Sequence, residues 1–319
     1  MSNLAGKTIF VTGGAGTFGT AFAAYALAHG VRRLIVYSRD EAKHARMRAE
    51  FSDPRLDCRQ GDARDLSRLT QALHAAHLDV LIHAAALKRV DGCEDEPHEA
   101  TKTNVFGTMN IVDAAVAVGV PRVVFLSTDK APEASTTYGK TKALAEAIIV
   151  RGNAYTGNVS TRFAATRYGN VYGSTGSVVP LWQAQRRAGM LTVTDTMATR
   201  FWMHPDEAVE LVCWTIAHMV GGEIVIPKIP SATVGDVARA VGPECRLREI
   251  GLRATEKRHE ILVGADEVSR TYDCGEVYVI APIAPTWPFH LPAGACLVPA
   301  GFRYASDSDP LPVRYVEAG

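Results

Sequence analysis

Two residues one helical turn apart, Tyr138 and Lys142, lie in the stretch Val123 to Val150, VVFLSTDKAPEASTTYGKTKALAEAIIV. The stretch reads as a buried strand ending in Ser127-Thr128-Asp129-Lys130, a short loop, and a helix that opens at Tyr138. An i, i+4 pair shares one helix face, so the phenol and the ammonium point into the same cleft. A nearby ammonium favours phenolate over phenol and draws a tyrosine pKa down from about 10 toward the pH at which it works best as a base. The same spacing occurs on ordinary surface helices. What sets it apart here is the preceding run of hydroxyl, carboxylate and amine at a strand's carboxyl end, where open parallel sheets hold their ligands. For Asp129 and Lys130 the plain alternative is a surface ion pair in a loop.

The elements that must position these groups are legible from the start of the chain. Lys7 to Thr12 reads as a strand running into Gly13-Gly14-Ala15-Gly16-Thr17-Phe18-Gly19, followed by an apolar helix from Thr20 to His29 with Gly30 at its left-handed end. Glycines 13, 16 and 19 suit a tight turn, a close backbone approach to a pyrophosphate and close packing of helix on strand, with the helix amino terminus facing the phosphates. A second strand, Arg33 to Tyr37, chooses the dinucleotide. It is followed by Ser38, Arg39 and, one turn on, Lys43, which suit the extra phosphate of NADP; the alternative is Asp40 gripping an NAD ribose. A third strand (Leu56 to Arg59) delivers Gly61-Asp62-Ala63, and a fourth (Val80 to His83) delivers Ala84-Ala85-Ala86-Leu87-Lys88. Asp62 suits the adenine amino group or a helix cap, and the alanines leave room for a flat cofactor. A helix from Pro97 to the residue before Gly119 carries the apolar stripe Val105, Met109, Val112 and Val116, with Asn104 beside it needing a buried partner.

The second half repeats the alternation less regularly. Arg162 to Thr166 reads as a strand leading to Arg167-Tyr168-Gly169-Asn170, Ser177 to Ala188 as a helix, and Thr199-Arg200-Phe201-Trp202-Met203 as a segment offering an arginine to a diphosphate. A helix follows from Pro205 to Gly221 with Ala208, Val212, Ile216 and Met219 inward. Glu223 to Ile226 reads as a returning strand, and Thr233 to Ala240 and Glu256 to Leu262 as helices, the charged Glu256-Lys257-Arg258-His259-Glu260 being mostly solvated. Seven of the sixteen prolines fall between Pro282 and Pro312, which implies an extended arm wrapping its own body or reaching a neighbour.

The expected architecture is α/β, a Rossmann-like doubly wound parallel sheet with a smaller α/β substrate-binding domain. Residues 1–166, with 204–227 returning, form the nucleotide domain, and 167–203 with 228–319 form the substrate domain. At 319 residues and 47% hydrophobic, the chain can bury two such cores. Lysine plus arginine equals aspartate plus glutamate at 34 each, which leaves no electrostatic footprint for nucleic acid or an anionic membrane. Six scattered cysteines without a CxxC pair argue against a metal site and for a reduced compartment, and no leader or membrane-length apolar run is apparent, so a cytoplasmic protein is expected.

The motifs TGGAGTFG, YSRDE, GDARD, HAAALKRVD, TNVFGT, LSTDKA, YGKTK, RYGNVYGSTGSVVP, TRFWM and EKRHE, in that order, resemble the extended short-chain dehydrogenase/reductase superfamily. Within it the chain is similar to the soluble inverting UDP-N-acetylglucosamine 4,6-dehydratases of the pseudaminic acid pathway, over nearly its whole length. The resemblance implies catalytic roles for Thr128, Asp129, Lys130, Tyr138 and Lys142. It implies an NADP site of Gly13, Gly16, Thr17, Phe18, Gly19, Ser38, Arg39, Lys43, Asp62, Ala63, Ala84, Ala85, Ala86, Lys88, Asn104, Tyr138 and Lys142. It also implies a UDP-sugar site of Lys88, Tyr168, Asn170, Val178, Thr199, Arg200, Glu256 and Arg258, and a homo-oligomer, dimer or hexamer.

Chemistry separately prefers a dehydratase to an epimerase. Water cannot leave carbon 6 of a hexose until carbon 4 is a ketone, because only that ketone acidifies the carbon 5 hydrogen. Tyr138 would take the carbon 4 hydroxyl proton, Lys130 the carbon 5 proton, and Asp129 would protonate the departing hydroxyl. An epimerase has no use for that adjacent acid and base. A catalytically idle NADP-binding sensor or scaffold would be expected to have lost the tyrosine or lysine, and both are present. Two departures from the family's pattern leave the sugar open: Thr175 stands where relatives carry arginine, and Ala254-Thr255-Glu256-Lys257-Arg258-His259-Glu260 lacks their proline and glycine.

Overall fold

Short aliphatic runs, each closed by a turn residue, become the inner strands of one large sheet. The computed structural model describes residues 4–157 and 160–308. In chain order the first half forms β1 (Thr8–Thr12), α1 (Thr17–Ala28), β2 (Arg33–Ser38), α2 (Glu41–Phe51), β3 (Leu56–Gln60), α3 (Leu66–His74), β4 (Val80–His83), α4 (Val90–Asp95), α5 (Pro97–Thr101), a π turn (Lys102–Phe106), α6 (Gly107–Val118), β5 (Arg122–Leu126) and α7 (Thr137–Gly152). The second half forms β6 (Arg162–Thr166), β7 (Asn170–Val171), α8 (Val178–Arg186), β8 (Met190–Val193), β9 (Thr199–Met203), α9 (Pro205–His218), β10 (Ile224–Pro227), β11 (Ser231–Thr233), α10 (Val234–Val241) and β12 (Arg246–Glu249). The chain closes with β13 (Ile261–Val263), β14 (Thr271–Asp273), β15 (Val277–Ile280), β16 (Cys296–Leu297) and β17 (Tyr304–Ala305).

Ten strands share one sheet in the order β16-β14-β15-β10-β6-β5-β4-β1-β2-β3. From β3 to β10 every pairing is parallel, and β15, β14 and β16 add an antiparallel edge. The order 3-2-1-4-5-6 is that of a doubly wound nucleotide fold, whose crevice lies beyond the carboxyl ends of β1 and β4. β1, β4 and most of β2 and β5 are buried, as two helix-covered faces require. A second core gathers Val179, Trp182, Leu191, Val193, Trp202, Val237 and Val241 between α8, α10 and the β8–β12 pair.

Three sequence expectations change here. The stripe through Met109 breaks, because the π turn inserts into the helix and rotates its continuation; Thr108, Ile111, Val112 and Ala115 face inward and Met109 is 44% exposed. Residues 271–297, expected with the substrate domain, extend the large sheet through β14, β15 and β16. Glu256 to Leu262 is not a helix: Glu256 to Glu260 run as an irregular segment into β13. The proline-rich segment wraps its own body as far as Ser308, with Trp287 Nε1 donating to the Gly221 carbonyl at 2.8 Å. Pro310 and Pro312 lie outside the described residues. Among the described residues no helix is long and apolar enough to cross a membrane, and no three metal-ligating side chains stand together.

Candidate active site

The glycine turn is built as its spacing requires. Gly13 has φ +65°, and a Cβ there would lie 2.7 Å from the Ala85 backbone; one on Gly19 would lie 2.0 Å from the Gly14 carbonyl. α1 therefore starts against the ends of β1 and β4, three residues earlier than read from the sequence. α2, α3, α7 and α10 are capped by the side chains of Asp40, Asp65, Thr136 and Thr233, whereas Gly16 offers α1 none, and its first turn carries no acid. Its leading N–H groups, with Thr17 and Phe18 among them, are open to an anion. Thr17 Oγ1 accepts from the Thr175 amide at 3.1 Å, so the loop from Gly173 to Ser177 is tied to this turn.

At the end of β2, Ser38 bonds His44 Nε2 at 2.8 Å, and Asp40 accepts from the Lys43 amide at 3.0 Å, so the Asp40 carboxylate serves as the cap of α2. Arg39 lies 3.7 Å from Asp62 and Lys43 3.4 Å from Asp40, both with much of the side chain exposed. Asp62 is engaged by Arg64, through its amide at 2.9 Å and its guanidinium at 2.8 Å, and does not cap α3, for which Asp65 serves. Ala63 is buried near Gly107, and Ala84, Ala85 and Ala86 are half-buried beside the glycine turn. Burial and then the charge of nearby Lys43 lower the Lys88 pKa. Asn104, expected at the cofactor, has both ends of its amide on the protein: Oδ1 accepts from Leu87 N at 2.8 Å, and Nδ2 donates to Leu87 O and Thr141 Oγ1, each at 3.0 Å. It positions the loop after β4 on α7.

α7 opens where three contacts meet. Thr136 accepts from the Gly139 amide at 3.0 Å, Glu94 of α4 accepts from the Thr137 amide at 2.8 Å, and the absent Cβ of Gly139 leaves room for the Lys130 carbonyl, which a Cβ would meet at 2.3 Å. Tyr138 is thereby held over Thr128, Asp129 and Lys130. Thr128 donates to Asp129 Oδ1 at 3.0 Å, and Lys130 Nζ donates to the same oxygen at 3.0 Å. Asp129 is 1% exposed and its Oδ2 is buried without a partner, so this is no surface ion pair.

The tuning of Tyr138 differs from the sequence expectation. Burial pushes its pKa up to about 12, outweighing the pull of Lys130 and the Thr128 hydroxyl, so these surroundings favour a neutral phenol. Lys142 is buried, donates to the Leu126 carbonyl at 2.6 Å and stands 3.9 Å over the Phe125 ring. Burial brings its pKa down to about 7 against the opposing charge of Glu146. The cation that favours the phenolate is thus Lys130, with Lys142 one turn behind.

The second half supplies the opposite wall. Tyr168 is buried beside Tyr138, and burial raises its pKa above the ordinary tyrosine range, with Tyr138 adding to the rise. Asn170 opens β7, paired with Trp202 of β9, and Val178 opens α8. Thr199 bonds His259 Nδ1 at 2.8 Å and Ser306 Oγ at 2.6 Å. Arg200 is 6% exposed and donates to Glu256 at 2.7 Å and to the Arg258 carbonyl at 3.0 Å, while the Arg258 guanidinium turns away to Asp195 at 2.9 Å. Tyr168 and Arg200 thus lie beside the reacting cluster, Glu256 meets Arg200, and the Arg258 guanidinium turns elsewhere. Glu260, read from sequence as part of a solvated run, is 2% exposed and lies 3.1 Å from Lys130 Nζ. The signal for it was the apolar triplet Ile261-Leu262-Val263, which marks Glu260 as the entry to a buried strand.

The polysaccharide biosynthesis protein family matches residues 9–282, across the glycine turn, the Thr128–Lys130 run, Tyr138 and the Arg200 segment. The chain belongs to this family. This polysaccharide biosynthesis protein is also an extended short-chain dehydrogenase/reductase, as its motifs implied. It is 40% identical over 315 residues, covering 96% of the chain and 94% of the relative, to a UDP-N-acetylglucosamine 4,6-dehydratase (inverting) of Campylobacter jejuni subsp. jejuni serotype O:2. It is 38% identical over 283 residues, covering 86% of the chain and 82% of the relative, to a UDP-glucose 4-epimerase of Rickettsia canadensis. Among solved structures it resembles DesIV, a dTDP-glucose 4,6-dehydratase from Streptomyces venezuelae with NAD and TYD bound, with a TM-score of 0.71 and 26% identity over 81% of this chain and 89% of that one.

Proposed function

We propose that the protein removes water from UDP-N-acetylglucosamine, giving a 4-keto-6-deoxy sugar inverted at carbon 5, with NADP as the resident cofactor. It is a nucleotide-sugar 4,6-dehydratase of the extended short-chain type, and a nicotinamide dinucleotide fits the uncapped, acid-free start of α1 at the glycine turn. The observation that carries the reading is the Asp129–Lys130 pair under Tyr138, with Asp129 buried. A bound nicotinamide supplies the reversible hydride acceptor. Tyr138 takes the carbon 4 hydroxyl proton, Lys130 removes the carbon 5 proton that the new ketone has acidified, and Asp129 gives a proton to the departing carbon 6 oxygen. Tyr168 and Tyr138 bound the sugar, and Arg200 is the buried guanidinium nearest the cluster. An epimerase, the activity named for the Rickettsia relative, would leave Asp129 and Lys130 without work. A panel of UDP- and dTDP-sugars followed by mass spectrometry tests the reading: loss of one water from a UDP-sugar is expected, and a product of unchanged mass would favour the epimerase.

NADP is favoured over NAD by charge. Asp40 is engaged as a cap, and Lys43 and Lys88 stand close enough to repel, a repulsion that a ribose phosphate relieves. Arg39 is free to leave Asp62, which keeps Arg64 at 2.7 Å. Arg39→Ala is expected to weaken NADP about tenfold or more while barely changing NAD. Equal weakening of both in a calorimetric titration would remove the phosphate assignment.

A further inference from the structure

Among the described residues, Glu260 is the one carboxylate touching the reacting cluster that water loss leaves without a task. Its Oε1 lies 3.1 Å from Lys130 Nζ and 3.8 Å from Arg200 Nε, and its Oε2 is buried without a partner. Ser306 pins its backbone on both sides: the Glu260 amide donates to Ser306 Oγ at 2.9 Å, and the Glu260 carbonyl accepts from the Ser306 amide at 2.8 Å. Asp129 Oδ1 sits 3.0 Å from the same Nζ, so two fixed carboxylates hold one amine.

We propose that Glu260 is the positioning residue of the base, holding Lys130 Nζ beside Asp129 and stabilising the ammonium that Lys130 becomes. The inference rests on the dehydratase reading above. In the reactive form the proton shared across the 3.0 Å contact resides on Asp129, leaving Lys130 a neutral amine. The carbon 5–hydrogen bond breaks, its proton passes to the Lys130 lone pair, and its electrons enter the enolate of the carbon 4 ketone. The enolate then expels the carbon 6 oxygen, which leaves as water with the Asp129 proton. Burial raises the Glu260 pKa while Lys130 and Arg200 draw it back; as the carboxylate, Glu260 sets a fixed negative charge beside the positive charge that forms on Lys130, as an orienting carboxylate does for a catalytic imidazole. The groups facing Lys130 are Asp129 from its own loop, Tyr138 from α7, Arg200 from β9, and Lys257 and Glu260 from the segment before β13. Burial alone would lower Lys130; Asp129 and Glu260 together hold it above the ordinary lysine range.

Glu260→Gln, with Glu260→Asp beside it, tests this in two ways. In substrate-free protein with isotope-labelled lysine, assigned through Lys130→Arg, the Lys130 resonance in Glu260→Gln is expected to titrate about one pH unit or more below wild type, and in Glu260→Asp between the two. With UDP-N-acetylglucosamine and NADP, the plateau kcat for water loss is expected to fall roughly tenfold to a hundredfold with KM little changed, and its acid limb to move to lower pH. The acid limb is a second proton entering the Asp129–Lys130 pair, and removing the Glu260 charge weakens the hold on that proton, which gives that sign. An unmoved Lys130 titration, or a loss confined to KM, would overturn the proposal and leave Glu260 as a support for Arg200. Should Glu260→Gln fail to fold, the same two readouts on Glu260→Asp decide. If wild type releases no water from the UDP-sugar, the dehydratase reading fails, and the titration still decides whether Glu260 holds the Lys130 charge.

Discussion

Lys130→Ala is expected to reduce the cofactor and stop there. Tyr138 and Lys142 remain to run oxidation at carbon 4, slowed because Lys130 no longer draws the Tyr138 pKa down, so mixing the variant with NADP and substrate should raise the reduced-nicotinamide absorbance more slowly than in wild type and hold it. Water loss should fall by about a hundredfold to ten-thousandfold, the usual effect of removing a general base. Lys130→Arg sharpens the test, because a guanidinium keeps the ion pair with Asp129 and Glu260 but cannot give up its proton. It should preserve folding and lose water release nearly as fully as alanine. Tyr138→Phe should abolish both steps. If Lys130→Arg released water at the wild-type rate, Lys130 would be a structural cation and the base would lie elsewhere.

The second large effect is on stability. Arg167 is 1% exposed, immediately before Tyr168, and pairs with both oxygens of Glu146 on α7 and of Glu267 beyond β13, while donating to the Leu262 carbonyl at 2.8 Å. It joins the helix that carries Tyr138 to the segment that follows Glu260. Arg167→Ala leaves buried Glu146 without its ion pair and buried Glu267 with only Arg270 at 3.4 Å, a change that costs about 3–5 kcal/mol. A drop in Tm on the order of 10 °C is expected at neutral pH. The pH dependence has a definite sign. In wild type, burial would raise Glu267, but its bonds to Arg167 prevail and hold its pKa below the usual range. That stabilisation is present above the unfolded glutamate pKa and is lost as pH falls through the folded one. In the variant, burial is opposed only by the Gly264 amide and Arg270, so the Glu267 pKa rises, acidification relieves the variant and the gap to wild type narrows. Urea unfolding at neutral and mildly acidic pH measures this; a gap below about 1 kcal/mol at neutral pH would show that the cluster is not what clamps the site.

What the sequence conveyed followed from how local each signal is. The glycines at 13, 16 and 19, the left-handed Gly30 at φ +72° and the Tyr138–Lys142 spacing are written within single turns, and the fold places them as read. What it hid depended on distant partners. Glu256 to Glu260 looked like a charged helix start, yet Glu256 meets Arg200, Lys257 meets the Pro132 carbonyl at 2.7 Å, His259 meets Thr199, and Glu260 meets Lys130. Contacts on several sides at successive residues suit an extended chain better than a helix, and no local pattern reports them. Met109 was misplaced because a π turn shifts phase without a sequence mark of its own. The direction of the Tyr138 shift was misread because spacing gives proximity to Lys142, whereas burial, which dominates, is a property of the whole site.

The most direct test of the account is the wild-type reaction with UDP-N-acetylglucosamine and NADP in heavy water, read by NMR and mass spectrometry of the product. The account predicts a sugar that has lost one water, carries a single deuterium at carbon 5, and has the opposite configuration there. A product that keeps its carbon 6 oxygen and its carbon 5 hydrogen, differing from the substrate only at carbon 4, would contradict it.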